Sequence, residues 1–333
     1  MCLHRRRCAM HDIVSNLLAL WGLERARVSL IAERENRVFK ITDGTRTTAL
    51  RLHRPGLRTS EELRSELLWM AELSRAGISV PAPVPSGNGD FLREVDGQQA
   101  SMLTWLQGAP LGKTAEPLNH PDRRGVFRKL GQLMARMHAV SDRWVPPAGF
   151  VRLRWDTKAL VGPDPLWGRF WENPDLAPDE RGMLLTFRTE ANQRLRKIED
   201  GLDFGLIHAD LVRENVMIDG EVLHLIDFDD CGFGFRLFDV ATALIKNRHE
   251  PDFSELCDAL LKGYVLEHSL DTAELDLFFA LRAVTYVGWV IPRLEEPGGR
   301  QRNKRMISDA VALAGAYLTT LNAPSIRRLG VSP

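Results

Sequence analysis

Apolar positions change their spacing several times along this chain, and each change marks an element. Over residues 12–22, Ile13, Leu17, Leu18 and Leu20 recur at close to helical spacing. Short β-prone runs follow at Val28–Ala32, Arg37–Thr42 and Thr47–His53, the last two separated by Asp43-Gly44, a pair suited to a tight hairpin turn. From Ser60 to Ala76 the period turns helical again, with Leu63, Leu67, Met70 and Leu73 on one face and Gly77 just past the end. A stretch rich in Pro and Gly, Val80–Gly89, leads to strands expected at Phe91–Val95 and Ala100–Trp105, after which Gly108-Ala109-Pro110 breaks the chain. Beyond Gly125 helices dominate, at 125–140, 178–200, 237–247, 253–268 and 272–291, interrupted by one island of strand and turn, Gly205–Gly234. This order predicts an α+β protein with a β-rich part over residues 1–106 and a helical part over residues 107–333.

With 333 residues the chain is long enough for two domains or two lobes, at about 150 residues per domain. Forty-four Lys and Arg balance forty-four Asp and Glu, so no global field draws it to nucleic acid or to an anionic membrane. Cys2, Cys8, Cys231 and Cys257 show neither a C-x-x-C pair nor zinc spacing, which fits reduced thiols and a cytoplasmic location. The basic start, Arg5-Arg6-Arg7, is followed by no signal-type apolar run and reads as a loose end. Leu275–Leu294 approaches membrane-spanning length, but Asp276 and Arg282 inside it favour a buried helix.

The chemistry sits in the island. Asn215–Ile218 and Val222–Ile226 alternate as two strands across Asp219-Gly220, so Asn215 and Asp227 come together at the open end of a hairpin. Asp210 precedes Asn215 by five residues on the loop feeding the first strand. Grouped carboxylate and amide oxygens suit a hard cation whose shell substrate phosphates complete, magnesium rather than zinc.

His208-x-Asp210-x-x-x-x-Asn215 followed by Ile226-Asp227-Phe228 resembles the catalytic loop and metal-binding segment of the protein-kinase-like superfamily, in its aminoglycoside phosphotransferase and choline kinase branch. The resemblance implies a two-lobed kinase-like fold, with a small β-rich N-lobe and a larger helical C-lobe. It also implies ATP as co-substrate and transfer of its terminal phosphoryl group to a hydroxyl. By the same resemblance Asp210 is the base for the acceptor hydroxyl, and Asn215 and Asp227 bind Mg2+. His208 is expected to hold the loop. Asp239 reads as the N-cap of the following helix or, by resemblance, as a brace for the catalytic loop.

The amino-terminal half carries matching features. Ala49-Leu50-Arg51-Leu52 resembles the kinase Val-Ala-Ile-Lys strand, with Arg51 as the cation that meets the phosphates and Glu66, fifteen residues on, as its acidic partner. Arginine for lysine replaces a point charge by a planar fork. No G-x-G-x-x-G precedes the strand; Glu33–Phe39 takes that place, with Asn36 the candidate for the turn over the nucleotide. Ser101–Gly108 resembles the interlobe hinge, where Thr104 would supply a carbonyl and Leu106 an amide to the adenine edge.

Asp229 and Asp230 extend the acidic run and read either as solvated acids or as contacts for the metal or for a cationic substrate group. An amine met by that run and a carboxylate met by Arg282 would together favour a homoserine-like amino acid as acceptor. Trp144, Phe150, Trp155, Trp167, Phe170 and Trp171 read mainly as core, with Tyr286 and Trp289 on the last apolar helix. The Rossmann, P-loop, H-E-x-x-H and G-x-S-x-G signatures are missing, so the rivals are a Ser/Thr protein kinase of the same family and a catalytically silent nucleotide-binding module. No nucleic-acid, membrane or obligate protein partner is expected.

Overall fold

A computed structural model describes residues 12–33 and 36–322. The basic start with Cys2 and Cys8, and residues 34–35 of the expected lid, lie outside the described residues. The chain divides into two compact units, whose boundaries run through Met1–His120, Gln132–Leu153 and Arg213–Cys231 for the first and Pro121–Gly131, Arg154–Val212 and Gly232–Pro333 for the second.

The first unit is built on a five-stranded antiparallel sheet in the order β1-β2-β3-β5-β4, from β1 (Arg27–Glu33), β2 (Arg37–Asp43), β3 (Arg46–Leu52), β4 (Leu92–Val95) and β5 (Gln98–Thr104). All three strands expected before residue 54 form. The tight turn is displaced by one residue, because Asp43 pairs with Arg46 and the two-residue loop is Gly44-Thr45, with Gly44 at φ +57°. Period two sends Phe39, Ile41, Leu50, Leu52, Ala100 and Met102 to one face, where they pack on Val14, Leu17 and Leu18 of α1 (residues 12–19).

Helix α2 (Ser60–Arg75) starts at a capping box, in which the Glu62 amide donates to Thr59 Oγ1 and the Thr59 amide to Glu62 Oε2. Its inward stripe is the expected Leu63, Leu67, Met70 and Leu73, joined by Trp69 and by a fully buried carboxylate, Glu66. Three further strands, β6 (Ala109–Pro110), β9 (Val216–Asp219) and β10 (Val222–Leu225), form a small sheet in the order β10-β9-β6.

In the second unit β7 (Leu153–Trp155), β11 (Gly232–Phe235) and β8 (Phe204–Ile207) form a three-stranded sheet in the order β7-β11-β8. Around it lie α4 (Thr157–Val161), α5 (Pro178–Ile198), α6 (Arg236–Ile245), α7 (Phe253–Tyr264), α8 (Leu275–Trp289) and α9 (Gly299–Asn322), and α3 (Arg123–Arg143) is divided between the units. Helix α6 is buried along its whole length, as are twelve consecutive residues of α8 from Leu277 to Gly288. The centre of the apolar stretch at 275–294 is therefore core, and no helix among the described residues is long and apolar enough to cross a membrane. Of that aromatic cluster Trp155 and Phe170 are buried in the core, while Trp144, Phe150, Trp167 and Trp171 are only half-buried.

Candidate active site

Arg51 lies on β3 opposite Ser101 and Val38, with Leu50 and Leu52 facing the core on either side. Its side chain is only 7% exposed, and its planar fork reaches two acids at once. Nη2 bonds Glu66 Oε1, and Nη1 bonds Asp229 Oδ1 at 3.2 Å. Asp229 also accepts from Asn36 Nδ2, so the candidate lid turn and the candidate phosphate cation meet one carboxylate. Burial works to lower the Arg51 pKa, but attraction to Glu66 and Asp229 outweighs it and holds the guanidinium charge more firmly than usual. Burial alone would raise Glu66; Arg51, Arg152 and His53 keep it below the ordinary carboxylate range. Asp229 is pushed up to about 6, because burial, Glu66 and Asp230 together exceed the pull of Arg51 and Arg58.

Asp230 pairs with Arg58 at 3.1 Å, and the same guanidinium donates to the Asp229 carbonyl. Both extra acids of the run are thus drawn to arginines of their own unit. A residue that sequence reasoning did not single out, Arg152, pins this segment. It donates to the carbonyls of Phe228, Asp229 and Cys231 at 3.2, 2.7 and 2.9 Å, reaches the Glu62 carbonyl at 3.1 Å, and lies 3.6 Å from Glu66 Oε2. Nothing in its neighbourhood, Val151-Arg-Leu-Arg154, distinguishes it from Arg154, which is exposed; only long-range packing does.

The hairpin forms with Val216 opposite Leu225 and Asp219 opposite Val222. Asn215, 8% exposed, closes the short turn Arg213–Asn215, and the Ile226 amide donates to its carbonyl at 3.0 Å. This places Asn215 beside the residue that precedes Asp227, as the strand pairing predicts. Asp227 takes φ +67°, a conformation Asp tolerates better than most residues, and is exposed. An amide oxygen and a carboxylate at one hairpin end are hard oxygen donors, which fits a divalent cation bound together with phosphates. Among the described residues no three His, Cys, Asp or Glu side chains gather as a metal site.

Thr104 ends β5, with its amide bonded to the Ala82 carbonyl and its Oγ1 accepting from the Ala82 amide, each at 2.8 Å. Leu106 is half-buried beyond it. Gly108 then adopts φ +100°, and a Cβ there would run into the Ile218 carbonyl, so only glycine lets this segment lie along the hairpin.

In the second unit, Asp210 follows β8 on a loop fixed from beneath. Asp239 is no N-cap, since Phe235 holds that position. It lies within the first turn of α6, fully buried, and accepts the amides of His208 and Ala209 at 2.9 and 2.7 Å. The brace is the reading that survives. His208, also fully buried, accepts the Asp210 amide on Nδ1 at 3.3 Å, holding the loop as expected. Ala209 between them is forced to φ +64°. One carboxylate oxygen of Asp210, Oδ1, accepts from Arg282 Nη2 at 2.9 Å, and the Asp210 side chain remains 26% exposed. Arg282 had suggested an acceptor carboxylate; here it is wholly buried and faces Asp210.

Comparison with known proteins gives the family of the chain. Residues 27–278 match the model of the phosphotransferase enzyme family. An amicoumacin kinase of Bacillus subtilis is 24% identical over 292 residues, covering 83% of each chain. A homoserine kinase of Agrobacterium fabrum is 29% identical over 229 residues, 68% of this chain and 66% of that one. The solved structure of a microcompartment-associated aminopropanol kinase superposes with a TM-score of 0.80 at 29% identity, covering 93% of this chain and 98% of the other. The kinase relatives imply ATP as co-substrate. The chain therefore belongs to the phosphotransferase enzyme family, within its small-molecule kinase branch.

Proposed function

We propose that the protein transfers the terminal phosphoryl group of ATP to the hydroxyl of a small amine or amino acid of homoserine type, with Asp210 as the base. The observation that carries this reading is the Asp210 carboxylate. It is partly open to solvent, sits on a loop held by two amide bonds to a buried acid, and has one oxygen fixed. Phosphoryl transfer asks for little more than positioning and charge neutralisation, and such a carboxylate supplies the positioning.

In the forward reaction Asp210 accepts the hydroxyl proton as the acceptor oxygen bonds to the terminal phosphorus and the bond to the ADP oxygen breaks. Asn215 and Asp227 would hold Mg2+, which supplies charge neutralisation on the phosphates when bound. Arg51, kept charged and oriented by Glu66 and Asp229, meets the phosphates, with Asn36 in the turn over them. The main chain at Thr104 and Leu106 meets the adenine edge. Asp229 and Asp230 serve the arginine clamp, so the acidic run by itself gives no reason to favour an amine. Support for an amine-bearing acceptor comes from the relatives, whose names pair hydroxyl and amine in homoserine and aminopropanol.

The test is ADP release from ATP and Mg2+ with a panel of homoserine, 1-amino-2-propanol, ethanolamine, choline, aminoglycosides, neutral polyols and a Ser/Thr peptide. Turnover confined to amino alcohols and hydroxy amino acids is expected. Turnover with only polyols or the peptide would refute the acceptor assignment, and nucleotide binding without turnover on any acceptor would favour a silent module.

A further inference from the structure

Helix α8 is apolar almost throughout, yet it carries one arginine, Arg282, at its buried centre. The guanidinium has no exposed surface and lies among three rings, 4.5 Å from the Trp167 centroid, 4.3 Å from Tyr286 and 5.1 Å from Phe238. Its Nη2 donates to Asp210 Oδ1 at 2.9 Å, while Nε and Nη1 are buried with no hydrogen-bond partner. Unmet donors and a desolvated charge both cost free energy, and a leucine or methionine here would avoid both. Folding alone therefore gives no reason for an arginine. The rings stabilise the cation by their faces without competing for its hydrogen bonds, so the guanidinium's directed bond goes to the acid that the proposed function assigns as base.

We infer that Arg282 is a positioning residue for Asp210: it fixes the carboxylate rotamer, so that the partly exposed side of the carboxylate is presented to the acceptor hydroxyl. The inference rests on the reading of Asp210 as the base. The backbone of the loop is held independently, by Asp239 on the His208 and Ala209 amides, by His208 on the Asp210 amide, and by the Val212 amide on the Asp210 carbonyl. Those bonds place the α-carbon of Asp210 and do not touch its side-chain torsions. Arg282 acts on those torsions. The planar fork matters as well as the charge, because a lysine in the same cage would place a point charge with no fixed direction.

The experiment compares Arg282→Met, Arg282→Lys, Asp210→Asn and the double variant Asp210→Asn/Arg282→Met in the full-length protein. ADP release from ATP and Mg2+ is measured with homoserine and, in parallel, with water alone as acceptor. Methionine fills the ring cage without charge. We expect kcat to fall on the order of 100-fold in Arg282→Met, as misplacement of a reacting group by about an ångström does, with the KM for ATP within twofold of the unmodified protein. Arg282→Lys should recover part of that loss. Adding Arg282→Met to Asp210→Asn should cost nothing further, because the arginine acts only through that carboxylate. Arg282→Met with kcat within twofold overturns the inference, as does a matching rise in the KM for ATP or multiplication of the two losses in the double variant. Should Arg282→Met fail to fold, Arg282→Lys decides alone: lowered kcat at unchanged KM supports the inference and unchanged kcat overturns it. If Asp210→Asn keeps full activity, or the unmodified protein turns over in neither arm, it is the base assignment that fails. An inactive Asp210→Asn beside a fully active Arg282→Met removes only the role of Arg282.

Discussion

His53, the residue after β3, offers a measurement that tests how the Arg51 cluster is held. It is 4% exposed, with Nε2 3.1 Å from Ser101 Oγ and Nδ1 buried without a partner. Burial and then the Arg51 charge push its pKa down to about 3, against a weaker upward pull from Glu66. The native imidazole therefore stays neutral at pH 5, whereas the unfolded chain takes up a proton below about 6.5. Because the native pKa is the depressed one, the stabilisation is complete above pH 6.5 and lost as the pH falls toward 3. Between pH 7.5 and 5.0 the loss is about 1.5 pH units at 1.36 kcal/mol each, roughly 2 kcal/mol. Asp229 acts in the opposite direction. Its raised native pKa gives stability that is complete below about 4 and disappears as the pH rises through 6. The stability of the unmodified protein over this range will therefore look flatter than either group alone predicts. Replacing His53→Gln isolates the histidine, since the variant keeps Asp229. Urea unfolding at pH 7.5 and 5.0 should show the difference in stability between the two proteins changing by about 2 kcal/mol in favour of the variant at the lower pH. A difference that stays constant within about 0.5 kcal/mol would mean that His53 is not held neutral, and the account of the cluster would be wrong.

Arg51→Lys keeps the charge but cannot serve Glu66 and Asp229 with one rigid fork; losing one charge-assisted bond, about 1.5–3 kcal/mol, should weaken AMP-PNP binding by about 10- to 100-fold in calorimetric titration, and an unchanged Kd would remove Arg51 from the phosphate site. Asp227→Ala should abolish turnover together with the Mg2+-dependent part of nucleotide-induced thermal stabilisation, and should leave the far-ultraviolet dichroism unchanged. Retention of a Mg2+ response would place the metal elsewhere. Gly108→Ala combines a positive-φ penalty of about 1–2 kcal/mol with a collision on the Ile218 carbonyl, so a fall of several degrees in Tm is expected; an unchanged Tm would show that the strand-to-hairpin approach is loose.

How far the sequence could be read depended on the range of the interactions. Local signals performed well: period two placed Leu50 and Leu52 inward and Arg51 away from them, and the capped stripe of α2 put Glu66 on the face that meets Arg51. Helix α9 was missed. Its first turns, Gly299-Arg-Gln-Arg-Asn-Lys-Arg305, show no apolar spacing, and the stripe it buries, Asn303, Ile307, Ala310, Ala314 and Tyr317, holds one asparagine and two small alanines that give a weak hydrophobic signal. Partners of charged residues were the least legible. Arg152 and Arg58 gave no local sign of their targets, and Arg282 was read as a contact for substrate although it is spent on Asp210. A charge in a sequence announces that a partner is needed, while the identity of the partner is decided by packing between segments far apart in the chain.

Two of the four described non-glycine residues at positive φ lie in segments that carry proposed site residues. Ala209 and Asp227 both hold positive φ, which costs an L-residue free energy, and each stands at a segment that carries a proposed site residue. Such conformations persist only where their surroundings determine them. For Ala209 the agent is Asp239, whose carboxylate accepts the consecutive amides of His208 and Ala209. For the segment that follows Asp227 it is Arg152, whose guanidinium collects three consecutive or near-consecutive carbonyls. In each unit a single buried side chain thus binds backbone groups of one polarity that no strand or helix satisfies, and so fixes the backbone beside Asp210 in one unit and after Asp227 in the other.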